Sequence, residues 1–146
     1  MTSQTSVQDV AAYVLEKLGP MTAMKLQKLC YYSQAWHMTW EDRVLFPEKV
    51  QAWANGPVIA DLYANHKGQF MLSNVWPYGD ASVLDEGERS SVDAVLSSYG
   101  QFTASQLSDM THREDPWIDA RDGVAEGARS RNEITPAAMH EYYSGL

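Results

Sequence analysis

The spacing of apolar residues along the chain predicts a mostly helical protein. After Ser6, a good N-cap, apolar residues recur at helical spacing until Gly19-Pro20, where proline clashes with a continuing helix. Thr22 is a good cap for a second helix, running to about Thr39. Similar cap, proline and glycine signals predict further helices over about 57–66, 85–99, 103–111, 115–122 and 135–143.

The second predicted helix is apolar around most of its circumference. One face carries Leu26, Leu29, Cys30, Ser33, Trp36, His37 and Trp40, and a neighbouring face carries Met24, Tyr31, Gln34 and Met38. Only Lys25, Lys28, Tyr32 and Thr39 are expected to meet water. A helix of this kind is normally surrounded by other elements, so we expect it to be the central helix.

Extended structure is predicted only between the second and third helices. The hydrophobic period changes there, and 44–46 and 50–53 are expected to be two short strands or extended pieces. Asn55-Gly56 predicts a turn, and Pro57 is placed to open the third helix. Residues 67–79 are expected to form a loop whose apolar side chains Phe70, Met71, Leu72 and Trp76 pack down. The polar stretch 123–133 is expected to be mobile.

The fold class that follows is mainly α. We expect residues 1–146 to form a single compact helical domain around the central apolar helix, with a short two-stranded or extended insertion.

Composition narrows the function classes. The net charge of −8 is a handicap against the dense negative charge of DNA or RNA, and it favours partners with a basic face. The lone cysteine, Cys30, suits a reducing cytoplasm. The polar N-terminus and the lack of an apolar run near ~20 residues predict a protein that is neither exported nor embedded in a membrane.

Catalytic and metal-binding constellations are weak. Cys30 and His37 share a helix face, but seven residues of helix separate them by roughly 10 Å, too far for a direct hydrogen bond. His112-Arg113-Glu114 matches the opening of the zinc deaminase signature, yet no downstream cysteines follow. Four scattered histidines and the absence of a phosphate-binding glycine motif predict no metal and no cofactor.

A DNA-binding alternative rests on the tight Gly19-Pro20 connection. The helices on its two sides could form a helix-turn-helix, with Lys25 and Lys28 exposed on the second. That helix is too apolar for a DNA groove and lacks base-reading arginine or asparagine.

Aromatic residues give the positive signal. Several lie in predicted loops or near helix ends, where large side chains with one polar tip commonly anchor protein interfaces. They are Trp53, Tyr63, Trp76, Tyr78, Trp117, Tyr142 and Tyr143.

Three sequence blocks, in order, resemble the Panacea domain of SocA-like antitoxins. The first block is Met24-Lys25-Leu26-Gln27-Lys28-Leu29-Cys30-Tyr31-Tyr32-Ser33-Gln34-Ala35-Trp36. The second is Ala52-Trp53-Ala54-Asn55-Gly56-Pro57-Val58 with Leu62-Tyr63, and the third is Leu107-Ser108, Thr111-His112 and Pro116-Trp117. The signature region spans 22–143.

The resemblance implies a bacterial or phage antitoxin that binds and neutralises a cognate toxin protein, usually encoded beside it. It also implies that delivery of the toxin to a protease is an alternative to sequestration. No catalytic residue comes with the resemblance. Residues expected to line a partner groove are Trp53, Asn55, Tyr63, His112 and Trp117, and a local brace is expected in which His112 bonds a neighbour and Trp117 packs over the central helix.

Alternatives from other classes stay open at this point. One is a small hydrolase or nucleotide-acting enzyme that uses the His112 region, and another is the DNA-binding regulator described above. Exposed aromatic residues would serve a homodimer as readily as a toxin.

Overall fold

Helices predominate in the structure, a computed structural model that describes residues 4–146, so the predicted mainly α class is confirmed. Residues 1–3 of the predicted domain lie outside the described part. The helices are α1 Val7–Leu18, α2 Ala23–Glu41, α3 Ala60–His66, α4 Glu86–Tyr99, α5 Ala104–Thr111, α6 Asp115–Ala120 and α7 Pro136–Ser144, with a 3-10 turn at Ala81–Val83. The strands are β1 Met21–Thr22, β2 Val50–Trp53, β3 Gly56–Ile59, β4 Met71–Leu72 and β5 Glu133–Ile134.

Side-chain caps begin most of the helices at the residues that the sequence indicates. Ser6, Thr22, Thr103 and Thr135 each accept a hydrogen bond from a backbone N–H in the first turn. The predicted cap at Asp115 is wrong by one residue. Helix α6 starts at Asp115 after an N-cap at Glu114 that makes no side-chain cap bond.

The Glu114 carboxylate is engaged elsewhere. Its Oε1 accepts hydrogen bonds from the hydroxyls of Tyr32 and Tyr143, each at 2.8 Å. Tyr31 meets the Tyr143 hydroxyl at 3.0 Å, and the Tyr32 ring stacks on Tyr99 at 4.2 Å. This cluster fastens α2 to α7 and to the start of α6, and burial raises the pKa of Glu114.

Strands β2 and β3 form an antiparallel hairpin in which Val50 pairs with Ile59 and Trp53 with Gly56. Strand β5 pairs with β2 on its other edge, which gives the sheet order β3-β2-β5. Gly56 has a φ of +121°, a conformation that L residues rarely adopt, and a Cβ there would meet Lys28 Cε at 2.7 Å. The turn therefore requires glycine.

Two segments depart from the sequence-based expectation, whereas residues 44–46, expected as a strand or an extended piece, form no strand. Pro57 lies in β3 instead of opening a helix, so α3 begins only at Ala60. Residues 67–79 include the short strand β4, which pairs with β1. The fixed φ of Pro57 suits a strand as well as a helix start, and the partner of β4, strand β1, lies far earlier in the chain, where local turn signals do not report it.

Helix α2 packs against α1, α4, α5, α7 and strand β3. Its buried residues include polar ones, among them Gln27, Lys28, Ser33, Gln34 and His37. The expectation that Lys28 and Tyr32 meet water is wrong, because their exposed fractions are 1% and 0%. The β2–β3 hairpin covers Lys28, and the rings of Tyr99 and Tyr143 cover Tyr32.

Two glutamines on α2 bond backbone groups at the end of β3 and in the 45–46 segment. Gln27 donates from Nε2 to the Ile59 carbonyl at 3.2 Å and accepts from the Ile59 N–H at 2.8 Å. Two turns later, Gln34 donates to the Phe46 carbonyl and accepts from the Leu45 N–H, both at 2.7 Å. Each amide therefore satisfies one donor and one acceptor of buried backbone, as a neighbouring strand would.

Candidate functional site

A cleft of about 740 Å³ opens beside the hairpin turn. It contains three of the five residues predicted to line a partner groove, namely Trp53, Asn55 and Tyr63. The complete lining is Met24, Trp53, Ala54, Asn55, Val58, Tyr63, Lys67, Arg129, Ser130 and Arg131. The hairpin, α3 and the segment before β5 thus contribute to one concave surface.

Two aromatic rings form the apolar part of the cleft. Trp53, at the end of β2, meets Tyr63 of α3 edge to face, with ring centroids 5.0 Å apart and an angle of 73°. The Trp53 indole N–H donates to Gln51 Oε1 at 2.8 Å, and Tyr63 packs edge to face on His66 at 5.2 Å. Both rings are half-buried, so they are held in place and still present surface to a ligand.

The other two predicted residues, His112 and Trp117, lie outside the cleft lining. Their rings stack on each other with centroids 4.1 Å apart and an angle of 17°. The Trp117 indole N–H donates to the Trp53 carbonyl at 2.8 Å, and Ser108 donates to the Asn55 carbonyl at 2.6 Å. These contacts tie α5 and α6 to the hairpin turn, so His112 and Trp117 reach the cleft only through the backbone that they support.

Arg121 is a structural residue that no motif or spacing in the sequence singles out. It is 7% exposed, donates to the Ala52 carbonyl at 3.0 Å, and also donates to the Ala128 carbonyl at 2.7 Å. Its guanidinium lies 5.2 Å from the Trp117 ring centroid. The stretch 123–133, predicted as mobile, is thereby fastened along the hairpin, and this sets the position of Arg129 and Arg131.

Lys28 lies beneath the hairpin turn. Its Nζ donates to the Pro57 carbonyl at 3.2 Å, and within residues 4–146 it makes no ion pair. Burial lowers the pKa of Lys28 to about 8. Burial also lowers the pKa of His112, and the positive charge of Lys28 lowers it further.

The catalytic alternatives find little geometric support in the described chain. Burial raises the pKa of the Cys30 thiol, the opposite of what activates a nucleophile, and His37 Nδ1 bonds Ser91 Oγ at 2.7 Å. His112 Nε2 is buried and has no hydrogen-bond partner among residues 4–146. No group of three potential metal ligands occurs in that range either.

An apolar surface that the sequence did not predict lies in the loop after α3. Phe70, Met71, Val75 and Tyr78 are 77%, 55%, 68% and 52% exposed, whereas Leu72 and Trp76 pack down as expected. Met71 and Leu72 are neighbours in β4, and successive residues of a strand face opposite sides. The expectation that Phe70 and Met71 pack down is therefore wrong.

Comparison with known proteins gives one family. The family model described as antitoxin SocA-like, Panacea domain, matches residues 26–118. No curated protein and no solved structure gave a significant match. In the described part of the chain, every helix is too short or too polar to cross a membrane.

Proposed function

The chain belongs to the SocA-like antitoxin family with a Panacea domain, and from that premise we propose that it neutralises one cognate toxin protein by direct, stoichiometric binding. The family match carries this proposal. The toxin is proposed to be the product of the adjacent gene, and this chain is proposed to be cytoplasmic. We further propose that residues 1–146 are one domain and that the protein acts without catalysis.

The cleft is proposed as the main contact surface for the toxin. Trp53 and Tyr63 present aromatic surface beside cationic side chains, and Trp, Tyr and Arg are the residues that most often dominate binding energy at protein interfaces. Asn55 adds an exposed amide at the rim. His112 and Trp117 are proposed to contribute by fixing the turn, since they stack beneath it.

The test is co-expression with the adjacent open reading frame. Growth arrest by the neighbour alone, rescue by this chain and a co-purified complex would support the proposal. A harmless neighbour that forms no complex would contradict it. Rescue with loss of the neighbour's protein, in place of a stable complex, would indicate delivery to a protease.

Matched variants locate the contact surface. Trp53→Ala is expected to weaken rescue, whereas Trp40→Ala, which removes a 48% exposed tryptophan outside the cleft, is expected to leave rescue intact. Loss of rescue in Phe70→Ala with full rescue in Trp53→Ala would move the surface to the exposed loop after α3. That result would leave the antitoxin function standing.

A further inference from the structure

We infer that the cleft takes an acidic segment of the partner protein, with one apolar side chain of that segment packed against Trp53 and Tyr63. The inference rests on the proposed function only in identifying the partner as the toxin. It is carried by the charge, exposure and arrangement of the residues that line the cleft.

The cleft reverses the charge of the molecule around it. The chain carries 19 acidic and 11 basic residues, yet the cleft is lined by Lys67, Arg129 and Arg131 and, in the described chain, by no acidic residue. All three cations are exposed, and none has a carboxylate of residues 4–146 within 4.0 Å. They are therefore free to pair with a ligand.

The cations approach the aromatic pair from two elements. Lys67 directly follows α3, close in sequence to Tyr63. Arg129 and Arg131 flank Ser130. Arg121 fastens this segment to the hairpin, because its guanidinium donates both to the Ala128 carbonyl and to the Ala52 carbonyl. Two guanidiniums, each able to form a bidentate pair with a carboxylate, thus line the same cleft as an ammonium group.

Ring geometry favours a peptide over a nucleotide. Trp53 and Tyr63 meet edge to face at 73°, so they form a corner for one side chain and not two parallel faces between which a base would stack. Within residues 4–146 the lining offers no glycine-rich loop of backbone N–H groups, which commonly cradles phosphates. Trp, Tyr, Arg and Met are also the residue types enriched at protein interfaces.

The cleft therefore refines the expectation drawn from net charge. An acidic chain attracts a basic partner as a whole, but a basic segment placed in this cleft would meet three like charges. A partner that carries an acidic segment on an otherwise basic surface would complement both the basic cleft and the acidic remainder of this chain. The opposite charge of the cleft would then fix the orientation of the partner.

A peptide titration tests the chemistry of the cleft. The probe is a short fluorescein-labelled peptide of alternating Glu and Leu, compared with its Lys and Leu counterpart by fluorescence anisotropy at low salt. We expect the acidic peptide to bind and the basic one not to bind. The double variant Arg129→Glu with Arg131→Glu is expected to weaken binding roughly tenfold or more.

Matched controls make the titration decisive. The double variant Lys49→Glu with Arg113→Glu makes the same charge change at exposed sites outside the cleft and is expected to bind as the wild type does. Equal binding by the cleft variant, no binding of the acidic peptide or preference for the basic peptide would overturn the inference. Tighter competitive binding of ATP would overturn it in favour of a nucleotide.

Co-expression separates this inference from the proposed function. Rescue from the adjacent gene's toxin by the wild type and the control, but not by the Arg129→Glu and Arg131→Glu variant, supports both. Rescue by the wild type, the control and the cleft variant alike would contradict the inference and leave the antitoxin function in place. Failure of the wild type to rescue would contradict the proposed antitoxin function, and the peptide titration would then test the inference about the cleft by itself.

Discussion

At the scale of single residues, the cation buried beneath the hairpin is the least ordinary feature of the protein. Lys28 is 1% exposed, and its hydrogen bond to the Pro57 carbonyl is its only one in the described chain. A buried ammonium group without a carboxylate is destabilising, which is why its pKa falls. The methylene stem of Lys28 also occupies the space in which a side chain at position 56 would sit.

We expect Lys28→Met to stabilise the protein at pH 7. A fall in pKa from 10.5 to about 8 means that the buried charge destabilises the wild type by about 3 kcal/mol. The variant removes this destabilisation but loses about 1 kcal/mol with the hydrogen bond to Pro57. The folded-state pKa is lower than the unfolded one, so the unfolded chain binds more protons between pH 8 and 10.5. Wild-type stability should therefore rise across that window relative to Lys28→Met.

Urea unfolding of both proteins at pH 7 and pH 10 measures this difference. The advantage of Lys28→Met should be about 2 kcal/mol at the lower pH and should disappear at the higher one. Lys49→Met, at an exposed site, serves as the control. An advantage that stays constant with pH would contradict the account of Lys28.

Glu114 gives a second prediction at this scale. Both tyrosine hydroxyls donate to its Oε1, and Glu114→Gln keeps an oxygen acceptor there, whereas Glu114→Ala removes it. We expect Glu114→Ala to lose about 2 to 4 kcal/mol, because the Tyr32 hydroxyl loses its partner and the Tyr143 hydroxyl keeps only that of Tyr31, and Glu114→Gln to lose less than about 1 kcal/mol. Denaturant unfolding at pH 7 provides the comparison, and equal losses in the two variants would argue against the hydrogen-bonded cluster.

At the scale of elements, two side chains of α2 make the hydrogen bonds that a neighbouring strand would otherwise make to buried backbone groups. Gln27 serves Ile59, and Gln34 serves Leu45 and Phe46. The two amides lie two helical turns apart and share no bonding partner. They therefore hold the hairpin and the 45–46 segment independently.

Replacing either glutamine by leucine leaves two buried backbone groups without partners. We expect each of Gln27→Leu and Gln34→Leu to lower the free energy of unfolding by about 2 to 4 kcal/mol, and the double variant to lose nearly the sum. Amide hydrogen exchange should show lost protection at Ile59 only in the first variant and at Leu45 only in the second. Loss of both amides in either variant would mean that the segments are coupled.

How far the sequence predicts the elements depends on how local their causes are. Helix starts at Ser6, Thr22, Thr103 and Thr135 follow from caps that act within one turn. Pro57 is the exception, because its fixed φ suits the first turn of a helix as well as a strand, so the sequence does not show its pairing with Ala52.

The candidate site divides in the same way. Aromatic character and turn chemistry identify Trp53, Asn55 and Tyr63, which the structure brings to one cleft. The basic side of the cleft was missed because the fold positions Arg129 and Arg131, through the hydrogen bonds of Arg121 to Ala52 and Ala128 and through the bond from the Ala52 N–H to the Asn132 carbonyl. Lys28 was missed because a helix pattern does not show what packs on that face.

At the scale of the whole molecule, an acidic body surrounds one basic cleft, and an exposed apolar loop lies after α3. The net charge of −8 favours a basic partner in long-range encounter, and the cleft favours an acidic segment in the bound state. Both effects weaken as salt screens exposed charges. A complex with the toxin should therefore dissociate faster as the salt concentration rises.

We expect the chain to act by occupying its toxin and not by chemical turnover. Purified toxin titrated with this chain should lose activity in proportion to the chain added, with an end point at equal molar amounts that does not change on longer incubation. Light scattering on the end-point mixture should give the mass of a stoichiometric complex. Complete inactivation by a small fraction of an equivalent, increasing with time, would contradict the claim and point to catalysis.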